Sequence, residues 1–93
     1  MALVSMGSYV NTVSVGTNLI DEFIKIEKNK HPDRSFQCVK KIAIEAPGGS
    51  TLSINDIELT MPSTGILEFD YGLLDIEKLV FNDSVQVNII YMY

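Results

Sequence analysis

Closely spaced turn residues cut the second half of this 93-residue chain into short pieces, and that punctuation constrains its fold more than any other feature. Pro47-Gly48-Gly49, Asn55-Asp56, Pro62-Ser63-Thr64-Gly65, Asp70-Tyr71-Gly72 and Asn82-Asp83 follow one another at short intervals. Glycine supplies backbone freedom, proline presets φ, and Asn or Asp bonds its own backbone, so each reverses a chain for its own reason. Helices of ordinary length do not fit between such breaks. The intervening residues alternate instead. Ile42, Ile44 and Ala46 oppose Lys41, Ala43 and Glu45; Leu52 and Ile54 oppose Thr51 and Ser53; Ile57 and Leu59 oppose Glu58 and Thr60. A period of two is that of a strand with one buried face. Residues 66–69 and 76–81 add shorter strands. Residues 84–93 form the longest one, with Val85, Val87, Ile89, Tyr91 and Tyr93 on one face. The expectation is an all-β fold: an antiparallel β-sandwich or partial barrel of about seven strands.

The first half is less regular. Residues 1–9 are small and weakly polar, and read as a flexible N-terminal arm ahead of a single sandwich domain over residues 10–93. Residues 9–15 read as a strand ended by Gly16-Thr17-Asn18. Residues 19–28 admit two readings. Leu19, Ile20, Phe23 and Ile24 have helical spacing, with Thr17 or Asn18 as cap. Ile24 and Ile26, alternating with Lys25 and Glu27, favour a strand over residues 23–28, and that is the expectation, with a short helix as the alternative. Asn29 to Ser35 holds a turn, and residues 36–46 return as a strand.

Charge narrows the partners. The net charge of −5 argues against nucleic acid, whose phosphates call for a basic surface. Residues 1–41 hold six basic and four acidic side chains, whereas residues 42–93 hold eight acids against Lys78 alone. A chain so divided can stack head to tail on itself, although a solvated basic hairpin is the plainer reading. One cysteine, Cys38, forms no internal disulfide, and its apolar context suggests a half-buried thiol. The N-terminus lacks the basic and apolar regions of a signal peptide. No apolar run approaches the roughly 20 residues of a membrane span. The expectation is a soluble protein, made in a reducing compartment, that contacts neither membrane nor nucleic acid.

Candidate chemistry is sparse. His31, the single histidine, sits before Pro32 in a charged turn, without the acids or thiols that catalysis or metal binding needs. Pro47-Gly48-Gly49-Ser50-Thr51 has the glycines of a phosphate loop but lacks its Gly-Lys-Ser/Thr ending, so a plain chain reversal is expected there. Asp75 and Glu77 come nearest to a calcium-binding spacing, and a solvated edge explains them. Tyr71, Tyr91 and Tyr93 are ordinary residues for a sheet end or an interface. No cofactor, no metal and no enzymatic activity are expected.

Ile42-Ala43-Ile44-Glu45-Ala46-Pro47-Gly48-Gly49-Ser50-Thr51-Leu52-Ser53-Ile54-Asn55-Asp56, followed by Met61-Pro62-Ser63-Thr64-Gly65-Ile66-Leu67-Glu68-Phe69, resembles a small β-domain of virion structural proteins from tailed phages of Gram-positive bacteria. The closing strand Val87-Asn88-Ile89-Ile90-Tyr91-Met92-Tyr93 fits the same pattern. The resemblance covers roughly residues 36–93. Two departures stand out: Asp56 where the family's hairpin has glycine, and Met61-Pro62 before the Ser-Thr-Gly turn. It implies a tail, fibre, baseplate or head-decoration component. Such a protein is made in the bacterial cytoplasm, resides in the virion, and packs against its own copies and other virion proteins. A carbohydrate- or receptor-binding module on a phage fibre is the alternative. An assembly surface is expected at Ile90 and Met92, which the strand period leaves off the core face, together with Tyr93 and the basic Lys28, Lys30 and Arg34.

Overall fold

The computed structural model describes residues 6–33, 38–70 and 75–93. In chain order the elements are β1 (Met6–Thr12), α1 (Leu19–Lys30), β2 (Lys41–Glu45), β3 (Thr51–Ile54), β4 (Ile57–Thr60), β5 (Ile66–Asp70), β6 (Leu79–Phe81) and β7 (Gln86–Met92). The strands form two antiparallel sheets, one ordered β1-β7-β2-β5 and the other β4-β3-β6. The result is a small β-sandwich of seven strands, open rather than closed into a barrel.

The alternation read from the sequence sets the core. Ile42, Ile44 and Ala46 face inward, as do Leu52 and Ile54, and Val87, Ile89 and Tyr91. Leu52 and Ile54 share their sheet with Leu79 and Phe81, and together these four join the residues of the four-stranded sheet in one core. The Asn55-Asp56 hairpin keeps a two-residue turn despite the missing glycine, with both residues at positive φ (49° and 68°). Asparagine and aspartate are the non-glycine residues that tolerate this region best.

Residues 23–28 are helical, not extended, and the strand expected there is corrected. Both patterns share Ile24, but only a helix places Leu19, Ile20 and Phe23 on one stripe with Glu27. The ends agree with that choice. Asn18 sits in extended backbone and its Oδ1 accepts from the Ile20 N–H at 3.1 Å. Asp21 and Glu22 occupy the first turn and Lys28 and Lys30 the last, matching the helix dipole. The helix packs against both β1 and β6. Asn18 anchors it there, donating to the Glu77 carbonyl and accepting from the Leu79 N–H.

The arm expected over residues 1–9 also needs correction. From Met6 onward the chain is strand, paired with β7 through the register Met6 to Met92 and Thr12 to Gln86. Residues 1–5 lie outside the described residues. The strand ends before Val13, which is buried, and the chain turns at Val15-Gly16, leaving Val15 exposed.

Asn55 does more than turn the hairpin. Its Oδ1 accepts from the backbone N–H groups of Glu77 and Lys78, and its Nδ2 donates to the Asp75 carbonyl. Asn18 and Asn55 thus clamp the segment leading into β6 from opposite sides. Replacing Asn55 with alanine removes these bonds and leaves alanine at positive φ. We expect a loss of about 1–2 kcal/mol, read as a lower urea midpoint at unchanged slope.

Candidate functional site

The side chains with chemical potential are mostly engaged in holding the fold. His31 caps the C-terminus of α1, its backbone N–H donating to the Glu27 carbonyl at 2.8 Å. The Pro47-Gly48-Gly49 loop turns its amides inward. Gly49 N–H donates to the Met61 carbonyl, while Ser50 N–H and Oγ both reach the Pro47 carbonyl. Gly49 has φ +87°, a conformation that suits glycine. A Cβ on Gly48 would press on the Pro62 carbonyl at 3.0 Å. Both glycines serve the reversal and the close crossing of two chain segments.

The acids are similarly engaged. Asp75 pairs with Lys40, and Asp56 with Lys78 at 2.9 Å. The Lys40 pair joins the basic half of the sequence to the acidic half. Cys38 is half-buried beside it, and burial together with the Asp75 charge pushes its thiol above the ordinary range. A thiol so placed forms little of the thiolate that nucleophilic chemistry requires. Among the described residues, no group of three or more His, Cys, Asp or Glu side chains gathers as metal ligands would.

One polar site lies inside the core. Glu27, only 3% exposed, accepts from the Tyr91 hydroxyl at 2.7 Å and from the Tyr93 hydroxyl by a shorter bond. Tyr91 stacks on Phe23 with ring centroids 4.2 Å apart, and Phe23 meets Tyr9 edge-on at 5.4 Å. Gly7 passes so close that a Cβ there would collide with the Tyr91 ring and lie 2.6 Å from Glu27 Oε2. Burial pushes the Glu27 carboxyl up. The hydroxyls of Tyr93 and Tyr91, with the charges of Lys30 and His31, outweigh burial and hold it below the usual carboxylate range. Burial and the neighbouring carboxylate push the Tyr91 phenol in the opposite direction, well above its ordinary value. This cluster ties α1 to β7 and is enclosed by its own side chains. Sequence reading missed Glu27, although the spacing from Phe23 by four residues was its signal.

Surfaces remain. The outer face of the four-stranded sheet carries Ile90, 45% exposed, and the half-buried Met92 beside a shallow open groove with Lys41, Ala43 and Glu68 on its floor and rim. Met6 and Val10 from β1 extend this face and are 58% and 62% exposed. The structure separates the other residues expected with it. Tyr93 turns its hydroxyl inward to Glu27, Lys28 and Lys30 are exposed at the end of α1, and Arg34 lies outside the described residues, as does Tyr71. β7 is moreover an interior strand with β1 and β2 on its two sides, so it presents no free edge. No helix among the described residues is long and apolar enough to cross a membrane.

No family model, curated protein or solved structure matches this chain.

Proposed function

We propose that the chain is a virion structural protein of a tailed phage, acting by subunit packing in a tail, fibre, baseplate or capsid. The ordered resemblance over residues 42–69 motivates the virion setting. The observation that carries the packing role is the group of exposed apolar side chains on the outer face of the four-stranded sheet, Met6, Val10 and Ile90, with the half-buried Met92 beside them. Such a face on so small a domain is costly to leave in water. Covering what Ile90 and Met92 still expose is worth roughly 1–2 kcal/mol. The outer face is uncoupled from the core, so it is open to a direct test. The variant Ile90→Asp with Met92→Asp is expected to fold with an unchanged circular dichroism spectrum and to fail to enter particles during phage assembly. Incorporation at the wild-type level would sink the packing role of this face.

A further inference from the structure

The sandwich has four edges, and they are not equivalent. The outer edge of β6 is occupied: Asn18 bonds Glu77 and Leu79, and the Gly16 N–H donates to the Phe81 carbonyl. The β4 edge carries Glu58, and the β5 edge carries Glu68. Charges of this kind keep sheet edges from pairing with other chains. β1 has none of these protections. It is seven residues long, Met-Gly-Ser-Tyr-Val-Asn-Thr, with no charge and no proline. Among the described residues β7 is its only strand partner, and at the strand's end Asn11 Oδ1 accepts from the Thr12 N–H at 2.8 Å.

We propose that the β1 edge pairs antiparallel with β1 of a second copy, joining two four-stranded sheets into one continuous eight-stranded sheet. This deepens the packing reading above, on which it rests in taking a second copy as the occupant. Self-complementarity selects that occupant. A two-fold axis at Tyr9 sets Tyr9 opposite Tyr9, Ser8 opposite Val10, Gly7 opposite Asn11 and Met6 opposite Thr12. No charge opposes a charge in this register, and the central pair is aromatic, a favourable cross-strand combination. The same operation on β5 would set Glu68 against Glu68, a destabilising pair. The two-fold closes on itself, which makes the product a dimer rather than a filament.

The test is sedimentation velocity of the full chain over a concentration series. The wild type should run at twice its 10.3 kDa monomer mass. Ser8 and Val10 are exposed on the outer face and stand opposite the uncharged Ile90 and Asn88 within the chain, so charges there leave the monomer undisturbed. The double variant Ser8→Lys/Val10→Lys opposes two lysines twice across the axis and should weaken the dimer roughly tenfold or more. The double variant Ser8→Glu/Val10→Lys opposes unlike charges in the same register and should restore the dimer. A wild type that stays monomeric at high concentration overturns the proposal. So does a dimer indifferent to both double variants. Particle incorporation is scored separately. A dimer that never enters particles supports this pairing and defeats the virion reading, whereas a monomer that does enter them defeats this pairing alone.

Discussion

Truncating Phe23 to alanine is expected to cost about 3–5 kcal/mol, a large share of what a domain of this size possesses. Phe23 is fully buried between Tyr91, on which it stacks, and Tyr9, which meets its ring edge-on. Alanine would remove the ring's burial and both aromatic contacts, and would leave a cavity between helix and sheet that neither can collapse to fill. Because α1 supplies only Leu19, Ile20 and Phe23 as fully buried apolar residues, the helix would lose its central attachment. The substitution also separates the two conformations available to residues 23–28. A strand would bury Ile24 and Ile26 and turn Phe23 out. In the helix Ile26 is only half-buried, so Ile26→Ala should cost far less than Phe23→Ala. Urea unfolding of the two variants measures the difference, and equal losses would contradict the docked helix.

Why the helix was hard to read follows from the same residues. Ile24 belongs to both patterns, and the strand reading gained its weight from Ile26 flanked by Lys25 and Glu27. The terminal signals were the better guide. A cap at Asn18, acids in the first turn and lysines in the last are cheap to satisfy only in a helix. Elsewhere the alternation and turn residues were enough to locate β2, β3, β4, β5 and β7, because one buried face and a reversal are local properties. Neighbours were not legible. β7 follows β6 in sequence yet lies between β1 and β2, since pairing depends on which distant strand covers which face. The uncovered Ile90 and Met92 were visible because they depend only on the period within β7. The roles of Asn18 and Asn55 were not, because their bonds reach 59–61 and 20–23 residues along the chain.

Replacing Glu27 with alanine should destabilise the protein by about 3 kcal/mol. The loss has two sources: charge-assisted hydrogen bonds from two tyrosines, and a buried Tyr91 hydroxyl left without a partner. Among the described residues every buried side-chain polar atom has a partner, so this orphan would be new to the core. Glu27→Gln keeps the shape and one acceptor oxygen, and should cost about half as much at neutral pH. The pH dependence distinguishes the charge from the shape. The folded protein holds the Glu27 carboxyl below its unfolded value, so in acid the unfolded chain binds the proton first. The stabilisation is therefore complete above the ordinary carboxylate range near pH 4.5 and drains away as the pH falls through the lower folded value. Glutamine has no such titration. The stability gap between wild type and Glu27→Gln should be constant from neutral pH down to about pH 5 and shrink steadily below about pH 4. Urea unfolding at a series of pH values gives this gap directly. A gap of the same size at pH 3 and pH 7 would mean that the carboxyl binds its proton equally in the folded and unfolded chains, and a gap that grows toward acid would mean that the tyrosine hydroxyls bind a neutral acid.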